Sequence, residues 1–153
     1  LWWLFRDNLL PKPTKFCGYA RSKLTIEELR AKCHQYMKVQ PHEQAKYEEF
    51  WQCHAYAAGS YDQRSDFVAL KEQLERLECR CSCNRIFYLA LPPSVFDKVT
   101  VNIKDICLSE RGWNRVIIEK PFGRDDVTSK KLSDHLASLF HEEQIYRIDH
   151  YLG

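Results

Sequence analysis

The sequence lacks both a long apolar run and an excess of one charge. No apolar stretch reaches the ~20 residues that a membrane-spanning helix needs, so the sequence predicts no membrane segment. The formal net charge is +2 and 29% of the residues are charged. Because a nucleic-acid-binding face is normally strongly basic, this balance argues against a nucleic-acid partner. A chain of 153 residues is long enough for one soluble domain with its own core.

The chain also lacks an initiator methionine, since it begins at Leu1. The segment from Leu1 to Leu10 places apolar residues on an approximately helical stripe and includes Arg6 and Asp7, which is not the pattern of a signal peptide. We expect this segment to be the end of a helix. We also expect the chain to be an internal part of a longer polypeptide.

Paired cysteine motifs are absent. The seven cysteines are an odd number, and most lie among apolar residues, as Cys17, Cys33, Cys53 and Cys107 do. This distribution predicts free thiols in a reducing cytoplasm and argues against a disulfide framework.

Three of the cysteines stand at alternate positions, Cys79, Cys81 and Cys83. Alternating cysteines can supply ligands to zinc, but structural zinc sites usually pair two CxxC knuckles. The sequence has no second knuckle and no spaced histidine pair. We therefore expect these three cysteines to be free thiols in a loop, and a zinc site is the alternative. We predict no metal.

Strand-like and helical segments alternate along the chain. We predict strands at Thr14 to Ala20, His54 to Ser60, Arg85 to Leu91, Trp113 to Glu119 and Ile145 to Asp149. We predict helices at Thr25 to Met37, Pro41 to Gln52, Ser65 to Glu78, Ser94 to Leu108 and Ser129 to Phe140. This alternation predicts an α/β fold in which helices flank parallel strands joined by right-handed crossovers.

Three of these segments carry more specific signals. Thr25 and Glu28 have the spacing of a capping box at a helix start. Arg85 to Leu91 is a nearly continuous apolar run, which is typical of a strand buried on both faces. His54 to Ser60 fits either a short strand or a turn around Gly59.

Two short polar runs follow the last two predicted strands. Glu119 to Gly123 (EKPFG) holds Lys120 at a strand tip, because Pro121 restrains the preceding residue to an extended conformation. Asp149, His150 and Tyr151 place an acid, an imidazole and a phenol together. Ligands of open α/β sheets bind outside the carboxyl ends of the strands. We therefore expect both runs on one rim, facing a shared cleft that receives an anion.

The sequence resembles the glucose-6-phosphate dehydrogenase family. The resemblance rests on GYARSKLT (Gly18 to Thr25), RIFYLALPP (Arg85 to Pro93), GWNRVIIEKPFGRD (Gly112 to Asp125) and EEQIYRIDHYLG (Glu142 to Gly153), and it covers essentially the whole chain. It implies a Rossmann-like parallel sheet flanked by helices. Residues 1–149 would be a partial NADP-binding domain, and residues 150–153 would begin the substrate-binding α+β domain.

A glycine-rich turn is missing from this partial domain, and the chain has only five glycines. Dinucleotide-binding domains usually begin with a strand and such a turn, whose backbone amides face the pyrophosphate. The family resemblance places that strand and turn upstream of Leu1. The expected fold is therefore an incomplete Rossmann-like domain that lacks its first strand.

The resemblance assigns coenzyme contacts to three residues. Arg21 would grip the 2′-phosphate of NADP and favour NADP over NAD; from its position alone, a solvated surface arginine is the more common case. Phe96 stands where the family has a tyrosine that contacts the coenzyme, so we expect a stacking contact there. Lys120 would approach both the coenzyme and the sugar phosphate, whereas a lysine at a strand edge is otherwise usually a surface cation.

The resemblance assigns the substrate site to the second polar run. His150 and Tyr151 would bind the 6-phosphate of glucose 6-phosphate, although an adjacent histidine and tyrosine are often only a structural pair. Asp149 would be the catalytic carboxylate that orients a histidine base beyond the chain. Arg147 would be either a structural ion partner or a ligand contact.

The activity implied is oxidation of D-glucose 6-phosphate to 6-phosphoglucono-1,5-lactone with reduction of NADP+, the first oxidative step of the pentose phosphate pathway. The parent enzyme would be a cytoplasmic homodimer or homotetramer. The 153-residue chain by itself should be inactive, since it lacks the glycine turn and the base. The alternative is a non-catalytic nucleotide-binding or scaffold domain with the same α/β layout.

Overall fold

In the described part of the chain, parallel strands form a two-stranded sheet and a three-stranded sheet. The computed structural model describes residues 1–78, 83–119 and 126–148. The chain divides into two units, Leu1–Ser60 and Tyr61–Gly153, and each is considered by itself.

The first unit surrounds a two-stranded parallel sheet. Its elements are α1 (Trp2–Arg6), β1 (Phe16–Ala20), α2 (Ile26–Met37), a 3-10 helix (Pro41–Glu43), α3 (Gln44–Gln52) and β2 (His54–Ala58). The predicted capping box is confirmed, because the Thr25 hydroxyl accepts from the Glu28 amide at 3.1 Å and the Glu28 carboxylate accepts from the Thr25 amide at 2.8 Å.

Aromatic side chains form the core of the first unit. Trp2, Tyr47, Phe50 and Trp51 are all buried. Their rings meet mostly edge to face, with Trp2 5.5 Å from both Tyr47 and Phe50 between ring centroids. The His54 ring stacks on Phe16 at 4.5 Å, and its Nδ1 lies 2.7 Å from the Phe50 carbonyl oxygen. A two-stranded sheet is only marginally stable alone, so this cluster must carry much of the unit's stability.

The second unit is built on a three-stranded parallel sheet in the order β3-β4-β5. Its elements are α4 (Arg64–Leu77), β3 (Arg85–Leu89), a 3-10 helix (Pro93–Val95), α5 (Phe96–Asn102), a π-helix (Ile103–Cys107), β4 (Asn114–Glu119), α6 (Asp126–Leu139), a 3-10 helix (Glu142–Gln144) and β5 (Ile145–Ile148). β3 and β4 are each followed by helical segments that return the chain for parallel pairing, as the alternation in the sequence predicts.

One expectation about the second unit is wrong. The strand beginning at Arg85 is not buried on both faces, because Ile86 and Tyr88 are 57% and 50% exposed. Successive strand residues point to opposite faces, and among the described residues the face of β3 that carries Ile86 and Tyr88 is exposed. On the covered face, Ile118 of β4 lines a pocket together with Leu132 and Leu136 of α6.

The start of β3 is held by a buried ion pair. Arg85 is 7% exposed and donates to both carboxylate oxygens of Glu78, at 2.6 and 2.7 Å. It also donates to the Cys107 carbonyl at 2.5 Å, so one guanidinium joins the end of α4 to the π-helix. The hydrogen bonds from Arg85 to Glu78 raise the pKa of Arg85 above its ordinary value.

Close packing against a neighbouring backbone favours glycine at one position in the turn before β4. A Cβ atom added at Gly112 would overlap the carbonyl group of Cys83. The Gly112 amide also donates to the Ser109 hydroxyl at 3.1 Å.

None of the helices in the described part of the chain has the length and apolar character of a membrane span.

Candidate functional site

The predicted site depends on where β4 and β5 end. These strands are parallel neighbours, and Glu119 of β4 is the register partner of Ile148 of β5. The chain therefore leaves both strands at the same edge of the sheet. Lys120 follows Glu119 directly, and the run of Asp149, His150 and Tyr151 follows Ile148. These four residues lie outside the described residues, so the positions of their side chains stay predictions.

A phenol and a carboxylate occupy the described part of this edge. Tyr88 of β3 is the register partner of Ile117, which lies two residues before Glu119 and on the same sheet face. The Tyr88 hydroxyl donates to Glu119 Oε1. This hydrogen bond to the carboxylate raises the pKa of Tyr88 to about 12. Tyr88 therefore stays neutral near neutral pH and anchors the carboxylate immediately before Lys120.

Tyr88 and Glu119 were not predicted as site residues. Tyr88 belongs to an apolar run that predicts a fully buried strand, and Glu119 stands at the end of another. Only the register of β3 against β4 brings the two side chains together as diagonal neighbours. No local signal in either segment predicts that register.

Arg147 lies on β5 in an ion pair. Its Nη1 donates to Glu142 Oε1 at 2.6 Å, and this pairing lowers the pKa of the Glu142 carboxyl. The side chain also lines the pocket formed with Ile118 of β4 and with Ser129 and Ser133 of α6. Of the two roles expected for Arg147, the structure shows that of an ion partner.

Arg21 lies at the carboxyl end of β1, in the turn that follows the strand. The Gly59 amide donates to the Ala20 carbonyl at 3.0 Å, and the Tyr56 hydroxyl donates to the Ser22 carbonyl at 2.6 Å. The backbone is thus bonded on both sides of Arg21, and the residue itself is exposed. This position suits a guanidinium that reaches out to an anion at the end of a parallel sheet.

Phe96 lies in an enclosed, apolar environment. It begins α5 and is 1% exposed, among the most buried side chains of the unit. A phenylalanine ring has no polar group that needs water, so its enclosure among other side chains is favourable. This burial supports a packing role and leaves the coenzyme contact of Phe96 a prediction.

The cysteines of the described segments are free thiols: Cys17, Cys33, Cys53, Cys83 and Cys107. Within those same segments, histidine, cysteine and acidic side chains form no group of three that could hold a metal ion. The other two members of the alternating run, Cys79 and Cys81, lie outside the residues that the structure describes. Burial raises the pKa of the Cys17 thiol to about 11, so it is protonated and unreactive near neutral pH.

Parallel strands joined by helices, with an exposed arginine at the carboxyl end of one strand and a lysine directly after another, define a nucleotide-binding α/β domain of the Rossmann type. Comparison with known proteins gives the family. Residues 1–153 match the family described as "Glucose-6-phosphate dehydrogenase, NAD binding domain", and the chain belongs to that family.

The relatives with similar sequences include two insect proteins, each named glucose-6-phosphate 1-dehydrogenase. The protein from Ceratitis capitata is 90% identical over 154 residues, which cover 100% of this chain and 29% of that protein. The sequence from Sarcophaga bullata is 72% identical over 153 residues and is covered completely, as is this chain. This chain therefore spans about 29% of the length of the Ceratitis capitata relative.

Two solved structures share the fold. One, described as glucose-6-phosphate dehydrogenase in complex with its substrate glucose-6-phosphate, is 42% identical with a TM-score of 0.89. The other, glucose-6-phosphate 1-dehydrogenase from Mycobacterium avium, is 25% identical with a TM-score of 0.82. Each match covers 99% of this chain and 32% of the solved chain.

Proposed function

We propose that this chain is the coenzyme-binding part of an enzyme that oxidises D-glucose 6-phosphate to 6-phosphoglucono-1,5-lactone and reduces NADP+ to NADPH. The observation that carries the proposal is the likeness, over 99% of the chain, to a glucose-6-phosphate dehydrogenase described in complex with that sugar phosphate. A scaffold domain would share the strand order, but the proposal also accounts for the charged residues at the strand ends.

Arg21 is the residue proposed to select NADP+. The 2′-phosphate is the group that distinguishes NADP+ from NAD+, and it is an anion with a geometry that the planar guanidinium fork matches. The described environment of Arg21 fits this role, since the side chain is exposed while the backbone around it is bonded on both sides. A negatively charged ligand can therefore approach the Arg21 guanidinium, while hydrogen bonds hold the backbone on both sides of Arg21 in place.

Lys120 and the run after β5 are proposed to bind the sugar phosphate. The ammonium of Lys120 would stabilise the anionic substrate and the oxygen that gains charge as hydride leaves C1. His150 and Tyr151 would donate hydrogen bonds to the 6-phosphate, and Asp149 would orient the histidine base outside this sequence. The shared edge of β4 and β5 supports this grouping, because it brings the backbone to one rim just before all four residues.

Bound NADP+ would supply the hydride acceptor, and the chain's own residues supply orientation and charge. Contacts to the phosphate, remote from C1, would hold the sugar so that C1 faces the acceptor. The full-length enzyme is proposed to be a cytoplasmic homodimer or homotetramer that binds neither nucleic acid nor membrane. The 153-residue chain alone is expected to show no turnover.

An Arg21→Ala substitution in the full-length protein tests the proposal. Loss of charge-assisted hydrogen bonds to the 2′-phosphate should lower kcat/KM for NADP+ roughly ten- to hundredfold. The value for NAD+ should stay within about twofold, because NAD+ has no 2′-phosphate. The assay follows the absorbance of the reduced nicotinamide with glucose 6-phosphate as substrate.

Lys32→Ala is the matched control, since Lys32 is an exposed cation on α2 of the same unit. Its removal should leave the preference between the two coenzymes unchanged. An equal fall for both coenzymes in Arg21→Ala would contradict the assignment of Arg21. Absence of any glucose 6-phosphate oxidation by the unmodified full-length protein would contradict the proposed activity itself.

A further inference from the structure

A tyrosine on β2 lies over a glycine on β1. Tyr56 is the register partner of Gly18 in the parallel pair. A Cβ atom added at Gly18 would lie 3.0 Å from Cδ2 and 3.6 Å from Cε2 of the Tyr56 ring. The ring therefore lies in tight contact with the place where any other residue at position 18 would carry its Cβ atom.

From this position the tyrosine reaches the turn after β1. Its hydroxyl donates to the Ser22 carbonyl oxygen at 2.6 Å, four residues beyond the glycine that it covers. Before the turn, the Gly59 amide donates to the Ala20 carbonyl at 3.0 Å, which extends the parallel ladder by one residue past the end of β2. Arg21 stands between these two bonded carbonyl groups.

We infer that Tyr56 is a positioning residue for coenzyme selection, which acts by holding the turn that carries Arg21. An arginine that grips a phosphate through two parallel hydrogen bonds must begin from a defined backbone position. A turn that is already ordered loses less conformational freedom on binding than a mobile one, so the bond from Tyr56 favours the bound geometry. The inference rests on the proposed role of Arg21.

The glycine at position 18 receives a physical explanation from the same arrangement. Its backbone has no left-handed conformation that would require glycine. The close approach of the Tyr56 ring favours it instead, because an added Cβ atom would need the ring to shift by a few tenths of an ångström. A side chain here would have to displace the ring, and the hydroxyl would then move away from Ser22.

The chain offers a matched control in Tyr19. Its hydroxyl also donates to a backbone carbonyl, that of Ser60, at 2.7 Å. Because Tyr19 is adjacent to Gly18 in the strand, it points to the opposite face of the sheet. Removal of its hydroxyl breaks an equivalent hydrogen bond in the same unit, but one to the segment after β2 and not to the Arg21 turn.

The test measures dissociation constants of NADP+ and NAD+ for the full-length protein by calorimetry. Tyr56→Phe should weaken NADP+ binding roughly three- to tenfold, the range expected for one lost hydrogen bond, and change NAD+ binding less than twofold. Tyr19→Phe should leave the ratio of the two constants unchanged. Gly18→Ala should weaken NADP+ binding in the same selective way, because it displaces the ring while the hydroxyl is retained.

A double variant separates this inference from the proposed function. If Tyr56 acts through Arg21, Tyr56→Phe should change NADP+ binding little in an Arg21→Ala background. The inference is overturned if Tyr56→Phe weakens both coenzymes equally, if it changes neither, or if its effect persists without Arg21. If Arg21→Ala itself spares NADP+ binding, the assignment of Arg21 fails, and this inference fails with it.

Discussion

Removal of the Glu78 carboxylate should leave the charge of Arg85 buried without its partner. Arg85 is 7% exposed, and both of its hydrogen bonds to Glu78 would be lost in Glu78→Ala. Breaking a buried ion pair by deleting one partner costs about 3 to 5 kcal/mol. We expect the lower end, about 3 kcal/mol, because the Glu78 side chain is 16% exposed and the Cys107 carbonyl still accepts from Arg85.

Amide hydrogen exchange in the full-length protein is the appropriate assay. A protein of several domains seldom unfolds in one step, whereas exchange reports the opening of individual segments. A loss of about 3 kcal/mol corresponds to a roughly hundredfold fall in the protection of the β3 amides. Thermal inactivation, followed in parallel, should occur at a lower temperature than in the unmodified protein.

An apolar replacement of the whole pair provides the control. The double variant Glu78→Leu and Arg85→Met removes both charges, so no unpaired charge remains and the cost should fall to about 1 kcal/mol or less. If the double variant is as unstable as Glu78→Ala, the cost arises from packing and not from a stranded charge. If Glu78→Ala leaves β3 protection within about threefold of the unmodified value, the ion pair does not stabilise the strand, and the reasoning is refuted.

Three further substitutions or conditions have defined outcomes. Burial lowers the pKa of His54 below 6.5, so His54 of the unfolded chain binds a proton at a higher pH than His54 of the folded chain. The first unit should therefore lose stability as pH falls through about 6.5. Hydrogen exchange at a series of pH values measures this loss. Gly112→Ala should cost about 1 to 3 kcal/mol or more, because the added methyl overlaps the Cys83 carbonyl, and thermal inactivation measures it. Thr25→Ala should cost about 1 kcal/mol through loss of the cap, seen as faster exchange in the first turn of α2.

Each of these outcomes has a control. A His54→Gln variant should lose the acid sensitivity of the first unit, and persistence of that sensitivity would assign it to another group. Thr25→Ser keeps the hydroxyl and should retain most of the cap. An unchanged inactivation temperature in Gly112→Ala would mean that the turn relaxes without cost.

Local signals in the sequence predicted the elements of this fold well. The capping box at Thr25 marks the start of α2 because two reciprocal hydrogen bonds form within four residues. Parallel pairing also follows from the alternation of strands and helices. The single helix predicted from Ser94 to Leu108 is instead a 3-10 turn, α5 and a π-helix in succession, and apolar periodicity does not distinguish these helix types.

Features that depend on strand register or on coverage by distant segments were not predicted. The exposed face of β3 carries Ile86 and Tyr88, and an apolar run cannot reveal which of its faces a helix will cover. Tyr56 and Gly18 lie far apart in sequence, and the contact between them exists only because β1 and β2 pair in one register. The burial of Phe96 at the start of α5 was not predicted either, and its expected contact with the coenzyme stays a prediction.

The register between β4 and β5 limits how the length of this protein can vary. One residue gained or lost just before β5 would move Tyr146 and Arg147 each to the face of the sheet that the other now occupies, because strand side chains alternate with a period of two. The chain would then leave β5 out of register with the end of β4. Length variants among natural sequences should therefore fall in the outer loops, and the segment that joins α6 to β5 should be intolerant of insertion.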